Sequence, residues 1–298
     1  MLKKSAFKRI ITSSLALIIT LLIYFFPNSE NIAMSEEIIY ESEITMPVYA
    51  IDHNNYVARA NVITNDNQIE YIIDLLTIDS KFSVNLPIGF RGIIPKGTKL
   101  LSYSLDNYLL KLDFSKEFLN IDKDEEEKLI ESLIYSLCEL DEVKQIMIFI
   151  NGEQLQKLPN SGKNLPIVLT KEYGINKLYT FDNYKNTIKT TIYYLSKYND
   201  SIYYIPITKI TNDNIEPVEI IVSEMKKTPI YETNLISYLN AAYELKDYEV
   251  LENSISLAFD NKLIANLEDN DINEQVKYTI SLSLRDTYDI EDIVININ

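Results

Sequence analysis

"EQVKYTISLSLRDTYDIEDIVININ" (Glu274–Asn298) closes the chain, and its reading decides the fold. Taken alone, Val276, Tyr278, Ile280, Leu282 and Leu284 alternate with other residues, the pattern of a half-buried strand. An upstream stretch says otherwise. "EKLIESLIYSLCELDEVKQIMIFIN" (Glu127–Asn151) lies against it at an offset of 147. There Leu129, Ile130, Leu133, Ile134 and Leu137 form a helical stripe, preceded by acids that suit a helix N-terminus. Leu129, Leu133 and Leu137 meet Val276, Ile280 and Leu284, and the apolar run Ile146–Ile150 meets Ile293–Ile297. The correspondence predicts a helix over 274–285 and then a buried strand. Lys277, Ser281 and Arg285 replace Ile130, Ile134 and Cys138, so the second helix is expected to bury a narrower face.

Working outward, further matches indicate a tandem duplication. "ITNDN" occurs at Ile63–Asn67 and at Ile210–Asn214, again 147 apart. "LDFSKEFL" (112–119) lies against "LAFDNKLI" (257–264) at offset 145. The stripe Ile69, Ile72, Ile73, Leu76 matches Val218, Ile221, Val222, Met225 at offset 149, so copy two carries two extra residues there, with Glu216 and Pro217 as candidates. Each copy reads as two strands ("MPVYAID" and "YVARANVI"; "TIYYLSKY" and "SIYYIPITKI"), a short helix, a hairpin, a longer helix and a final strand. Asn65 or Asp66 caps the first short helix and Pro217 opens the second. The first copy's second hairpin, "TKLLSYSL" and "NYLLKLDF", turns around Asp106–Asn107. Pro206 lacks a ladder donor, which suggests an edge strand.

Composition narrows the function. The chain has 298 residues, 46% hydrophobic, with 22 Tyr and no Trp, which suits a strand-rich globular body. Its net charge is −16; beyond the basic Lys3, Lys4, Lys8 and Arg9, 24 bases face 44 acids, a balance of −20. Such a body repels phosphate backbones, which argues against nucleic acid. One Cys and one His allow neither an internal disulfide nor an ordinary zinc site.

"IITSSLALIITLLIYFF" (10–26) carries no charge and follows a basic segment, residues 1–9. Its length is at the short end for a bilayer span, and the basic flank orients the body outward. We read Ile10, Leu15, Ile19 and Phe26 as part of an uncleaved single-pass anchor; a cleaved signal peptide, with Ala33 before the cut, is the competing reading. A linker, 27–45, would lead to a first domain at 46–160, a linker at 161–190 and a second, degenerate domain at 191–298.

The residues that look like chemistry have plainer readings. "GIIPKGTK" (92–99) places Thr98 where a phosphate-binding loop needs Lys, so it reads as a turn before a hairpin. "DKDEEE" (122–127) lacks the alternating ligands of a calcium loop and reads as a helix start. Cys138 continues an apolar stripe, and His53 falls in a turn, "DHNN". No catalytic residue, metal site or cofactor is expected.

Five segments carry a resemblance to a known family: "PKGTK" (Pro95–Lys99), "LDFSKEF" (Leu112–Phe118), the helix after it, "V..I.IFINGE" (Val143–Glu153) and "LTKEYGIN" (169–176). Together they resemble the GerMN domain family of sporulation and spore germination, well over 85–176 and weakly over 191–298. Its motif positions here are Pro95, Gly97, Thr98, Lys99, Asp113, Phe114, Ser115, Asn151 and Gly152, in a structural role. The resemblance implies an α+β fold: two tandem copies of a unit similar to ring-building motifs, with about a three-stranded sheet, a hairpin and two helices, behind a transmembrane helix. Family members often carry a lipid-bearing Cys, which this chain lacks.

It further implies a non-catalytic, extracytoplasmic protein of the mother-cell membrane, facing the forespore. There it would assemble or localise a channel complex through protein partners, with self-association also open. The strongly acidic body favours a hetero-complex adaptor over a homo-ring unless the contact face is neutral. A membrane-held binding or sensory module, accessory to a receptor or to cell-wall remodelling, is the alternative.

Overall fold

The computed structural model describes residues 45–64, 68–180, 185–212, 214–227, 235–237, 239, 244–260, 264–266, 271–272 and 274–297. The anchor at 10–26, its basic flank, Ala33, the caps Asn65 and Asp66, and parts of both "ITNDN" copies lie outside them. Among the described residues no helix is long and apolar enough to cross a membrane.

The first copy opens with a hairpin, β1 (Thr45–Asp52) and β2 (Val57–Ile63), then α1 (Gln68–Leu76) and a short β3 (Phe90–Arg91). A second hairpin follows, β4 (Leu100–Asp106) and β5 (Leu109–Phe114), then α2 (Glu126–Leu137), β6 (Gln145–Ile150) and β7 (Glu153–Gln154). After β8 (Leu178–Tyr179), the second copy repeats the plan: β9 (Ile188–Tyr198), β10 (Ser201–Thr211), α3 (Pro217–Lys226), β11 (Leu245–Val250) and β12 (Ser254–Phe259). A small hairpin, β13 (Ile264–Asn266) and β14 (Asp271–Ile272), precedes α4 (Glu274–Tyr288) and β15 (Asp292–Ile297).

The repeat holds in register as well as in order. β5 runs parallel to β6 with Leu109 opposite Gln145, and β12 runs parallel to β15 with Ser254 opposite Asp292. Those start positions differ by 145 and 147, the offsets seen in the sequence. Residues 274–288 are helix despite their alternation. Val276, Ile280 and Leu284 are buried on one side, where β12 and α3 supply the apolar partners that make the helical period win over the strand period.

Three features depart from the sequence reading. First, the two opening hairpins do not stand apart. β2 pairs antiparallel with β10 at Arg59 and Tyr204, giving the order β1–β2–β10–β9 about a pseudo-two-fold axis. Second, Pro206 is therefore in a central strand. Its missing N–H is harmless because it falls between two pairings of β10's outer side, with β2 at Tyr204 and with β8 at Lys209. The Asn176 side-chain amide fills that gap and donates to the carbonyls of Pro206 and Val57, both at 2.8 Å.

Third, residues 161–190 are not a free linker. Leu165, Leu169 and Ile175 are buried in the first core, and β8 joins β10. The described part of this stretch is a strap across both copies, and residues 181–184 lie outside the description. A smaller shift is that the β4–β5 turn is Asn107–Tyr108, both at positive φ (47° and 64°), one residue later than expected.

Candidate functional site

The motif residues are one another's partners. The Lys99 N–H donates to Ser115 Oγ (3.0 Å), and the Ser115 N–H donates to the Lys99 carbonyl (2.9 Å). The Gly152 N–H donates to Asp113 Oδ1 (2.9 Å), and the Asn151 N–H to the Phe114 carbonyl. Phe114 stacks on Phe118 in the core at 4.7 Å. Pro95–Lys99 form a turn, with the Thr98 N–H bonded to the Pro95 carbonyl. Gly97 sits there at φ +83°, a conformation that side chains disfavour. The motif therefore ties the start of β4 to the end of β5, and β5 to the turn after β6. The second copy keeps one of these ties: the Asp260 N–H donates to the Glu244 carbonyl.

The other candidates are also occupied by structure. His53 lies in the β1–β2 turn against the Tyr198 ring, and its Nδ1 is 3.2 Å from the Tyr203 hydroxyl. Asp52 accepts from the N–H groups of Asn54 and Tyr56 and from the Tyr203 hydroxyl, which holds the turn closed. Burial pushes the Cys138 thiol up to about 12, so it is not a thiolate at neutral pH. Glu126 is buried; burial pushes its carboxyl up, but bonds from Ser161 and Asn160 outweigh that and hold it below the usual range. Its oxygens face N–H and O–H donors, which leaves no open ligand set. Among the described residues no three His, Cys, Asp or Glu are grouped to hold a metal.

The most concentrated chemistry lies at the seam between the copies. Tyr49 of β1 and Tyr193 of β9 occupy equivalent positions. The Tyr49 N–H donates to Ser136 Oγ on α2 (2.8 Å), and the Tyr193 N–H donates to Ser283 Oγ on α4 (2.9 Å). The two fully buried hydroxyls meet across the pseudo-two-fold axis at 2.7 Å. Each also reaches an acid of its own copy: Tyr193 donates to Asp286, and the single Tyr49 proton is shared between the Tyr193 oxygen and Glu139 (3.3 Å). Burial, reinforced by these carboxylates, pushes both phenols far above their ordinary range.

Cations complete the network. Lys171, from the strap, bonds Glu139 at 2.8 Å and Asp286 at 2.9 Å. Arg285 bonds Glu139 of the other copy at 2.7 Å and Asp286 at 3.1 Å. Arg59 lies 4.0 Å from Glu139 and under the Tyr278 ring of α4. Burial pushes the Asp286 carboxyl up, yet Lys171 and Arg285 more than offset this and hold it below its ordinary value. A cleft of about 860 Å³ opens beside the network, lined by Lys144, Lys171, Lys189, Arg285 and Asp286 among others. Its two buried carboxylates are bound to cations, and Asp286 is shifted away from neutrality, so it cannot hold a proton at pH 7 for acid catalysis. Beside the cleft, Lys171, Arg285, Glu139 and Asp286 are tied to one another, which makes this wall a joint between the copies.

The sequence reading did not assign roles to Tyr49, Glu139, Lys171, Tyr193 or Asp286. Tyr49 and Tyr193 could have been found, because the two opening strands align with Tyr on Tyr. Arg285 was visible as a substitution for Cys138, but its partner in the other copy was not.

The fold and seam together define a class: two copies of a small α+β unit, fused through their opening hairpins into one compact body over Ile44–Asn298. Residues 23–156 match the Germane family model, described as sporulation and spore germination. The spore germination protein GerM of Bacillus subtilis (strain 168) is 25% identical over 264 residues, covering 86% of this chain and 72% of that protein. The solved tandem GerMN domains of the sporulation protein GerM from Bacillus subtilis superpose with a TM-score of 0.77 at 24% identity, covering 86% of this chain and 91% of that one. Residues 23–156 thus carry the family's domain, and the chain as a whole resembles proteins with tandem GerMN domains.

Proposed function

We propose that this chain is a non-catalytic sporulation protein that helps assemble or localise a channel complex between mother cell and forespore. The apolar stretch at 10–26 would hold it at the cell membrane, with the paired domains outside. One observation carries the reading: the chain uses its buried polar chemistry to lock two domains together. The seam joins equivalent tyrosines and cross-paired charges. A rigid pair of domains suits a protein that is gripped by others.

The binding-module alternative draws less support. The cleft at the seam is lined by one tyrosine, Tyr288, and the Lys171, Arg285 and Asp286 on its wall are bound to one another. Capture of the tagged full chain from sporulating cells tests the proposal. Recovery of channel-complex proteins is the expected result. Recovery of none, together with normal sporulation after deletion, would overturn it.

A further inference from the structure

Among the described residues, no strand pairs with the outer edge of β4 in the first copy. β4 is the terminal strand of the order β4–β5–β6–β7, and Leu101, Tyr103 and Leu105 are 49%, 41% and 38% exposed. Their side chains are not spread on the face opposite the helices. Tyr103 and Leu105 stand opposite the buried Leu112 and Leu110, so they share the helix side of the sheet and overhang its edge. Asp106 and Leu109 close the two-residue turn as a hydrogen-bonded pair facing β5. The antiparallel ladder alternates, so Leu105 and Tyr103 aim their N–H and C=O groups at the open edge.

Exposed edges normally carry charges that block pairing. The equivalent strand β11 has Lys246, Asp247 and Glu249 in six residues; β4 has no charge from Leu100 to Leu105. This is a neutral contact surface on a body whose net charge otherwise opposes self-contact.

The sequence of this edge also names an occupant. Leu101-Ser102-Tyr103-Ser104-Leu105 reads the same in both directions. An antiparallel pairing with a second copy, with its two-fold axis at Tyr103, sets Tyr103 opposite Tyr103, Leu101 opposite Leu105 and Ser102 opposite Ser104. Asp106 then stands opposite Leu100 at both ends, so no like charges face each other across the pairing. We propose that β4 pairs with β4 of a second copy of this chain to form a two-fold dimer with a continuous sheet. The bulge at Leu101 bends the strand and limits the pairing to about five residues, so the contact is weak and transient. This proposal stands independently of the channel reading, since it rests on the edge alone.

Cysteine cross-linking of the full chain in mild detergent, in a Cys138→Ser background, tests it. The Cα atoms of a directly opposed hydrogen-bonded pair lie about 5.5 Å apart, within disulfide reach. Tyr103→Cys is expected to form a disulfide-linked dimer under mild oxidation. Ser102→Cys alone should not, whereas Ser102→Cys with Ser104→Cys should. Without cysteines, light scattering should show dimer rising with concentration, and Tyr103→Lys should abolish it by setting like charges on the axis. Monomer at every concentration would overturn the proposal. So would equal cross-linking of the single Ser102 and Tyr103 variants, an unaffected Tyr103→Lys dimer, or capture of a foreign strand in place of a second copy.

Discussion

Copy one ends its second sheet in β4, uncharged from Leu100 to Leu105, while copy two ends its own in β11, with three charges in six residues. The helices diverge too. α2 ends at the apolar Cys138, whereas α4 has Arg285 there, reaching across to Glu139. The two copies share one backbone plan, so these differences reflect specialisation of side chains. Copy one keeps a free edge and the motif ties between β4, β5 and β6. Copy two supplies Arg285, which with Lys171 of the strap welds the pair. The lesson is that duplication here produced one body with two unlike ends.

The largest expected effect breaks the weld. Asp286→Ala leaves Lys171 and Arg285 buried beside one carboxylate in place of two. It should cost about 3–5 kcal/mol in urea denaturation of the full chain. A loss under 1 kcal/mol would mean that the charges are hydrated and the seam is not a joint.

Acid probes the same joint. The folded Asp286 carboxyl lies below its ordinary value, so its contribution is present above the ordinary carboxylate range, about pH 4, and is lost as pH falls through the folded value. Lys171 is raised although burial opposes it, because Asp286 and Glu139 outweigh that; its contribution is full below about pH 10 and fades as pH rises past the folded value. The seam should therefore be strongest between these limits. Asp286→Asn should lower stability at neutral pH and flatten its fall in acid, read from urea midpoints at each pH.

The next effect tests symmetry directly. Ser136→Ala and Ser283→Ala each leave a buried tyrosine N–H without its partner. Each should cost about 1–3 kcal/mol, and the two costs should agree closely. A large inequality would show that the copies are related in chain path but not in energetics.

The smallest effect is confined to copy one. Gly97 holds a positive φ with open space around it, so Gly97→Ala meets backbone strain alone. A loss of about 1–2 kcal/mol is expected in thermal melts.

The repeat was legible because core positions must recur for each copy to bury its own sheet. Offsets of 145 and 147 survived in β5, β6 and their partners for that reason. Helix α4 was legible only through α2, since Tyr278 and Leu282 disguise its period by facing the seam: Leu282 packs into the first core and Tyr278 lies over Arg59. The joining of β2 to β10 left no local pattern, because a strand that pairs on one side or two reads alike. Pro206 misled for the same reason: its missing donor matters only if something sits opposite it. The strap at 161–190 looked like a linker because its buried apolar residues, Leu165, Leu169 and Ile175, follow no helical or strand period, and its polar contacts, through Lys171 and Asn176, are distant in sequence. The openness of β4 could not be read either, since its apolar residues match those of a covered strand.

Native-state hydrogen exchange on the full chain, followed in increasing denaturant, tests the fused body most directly. The slowest amides of β5 and β12 should exchange through one shared opening, with equal free energy and equal denaturant dependence. If β12 opens at a clearly lower free energy and smaller slope while β5 stays protected, the copies are two domains in loose contact, and the account of a single welded body is wrong.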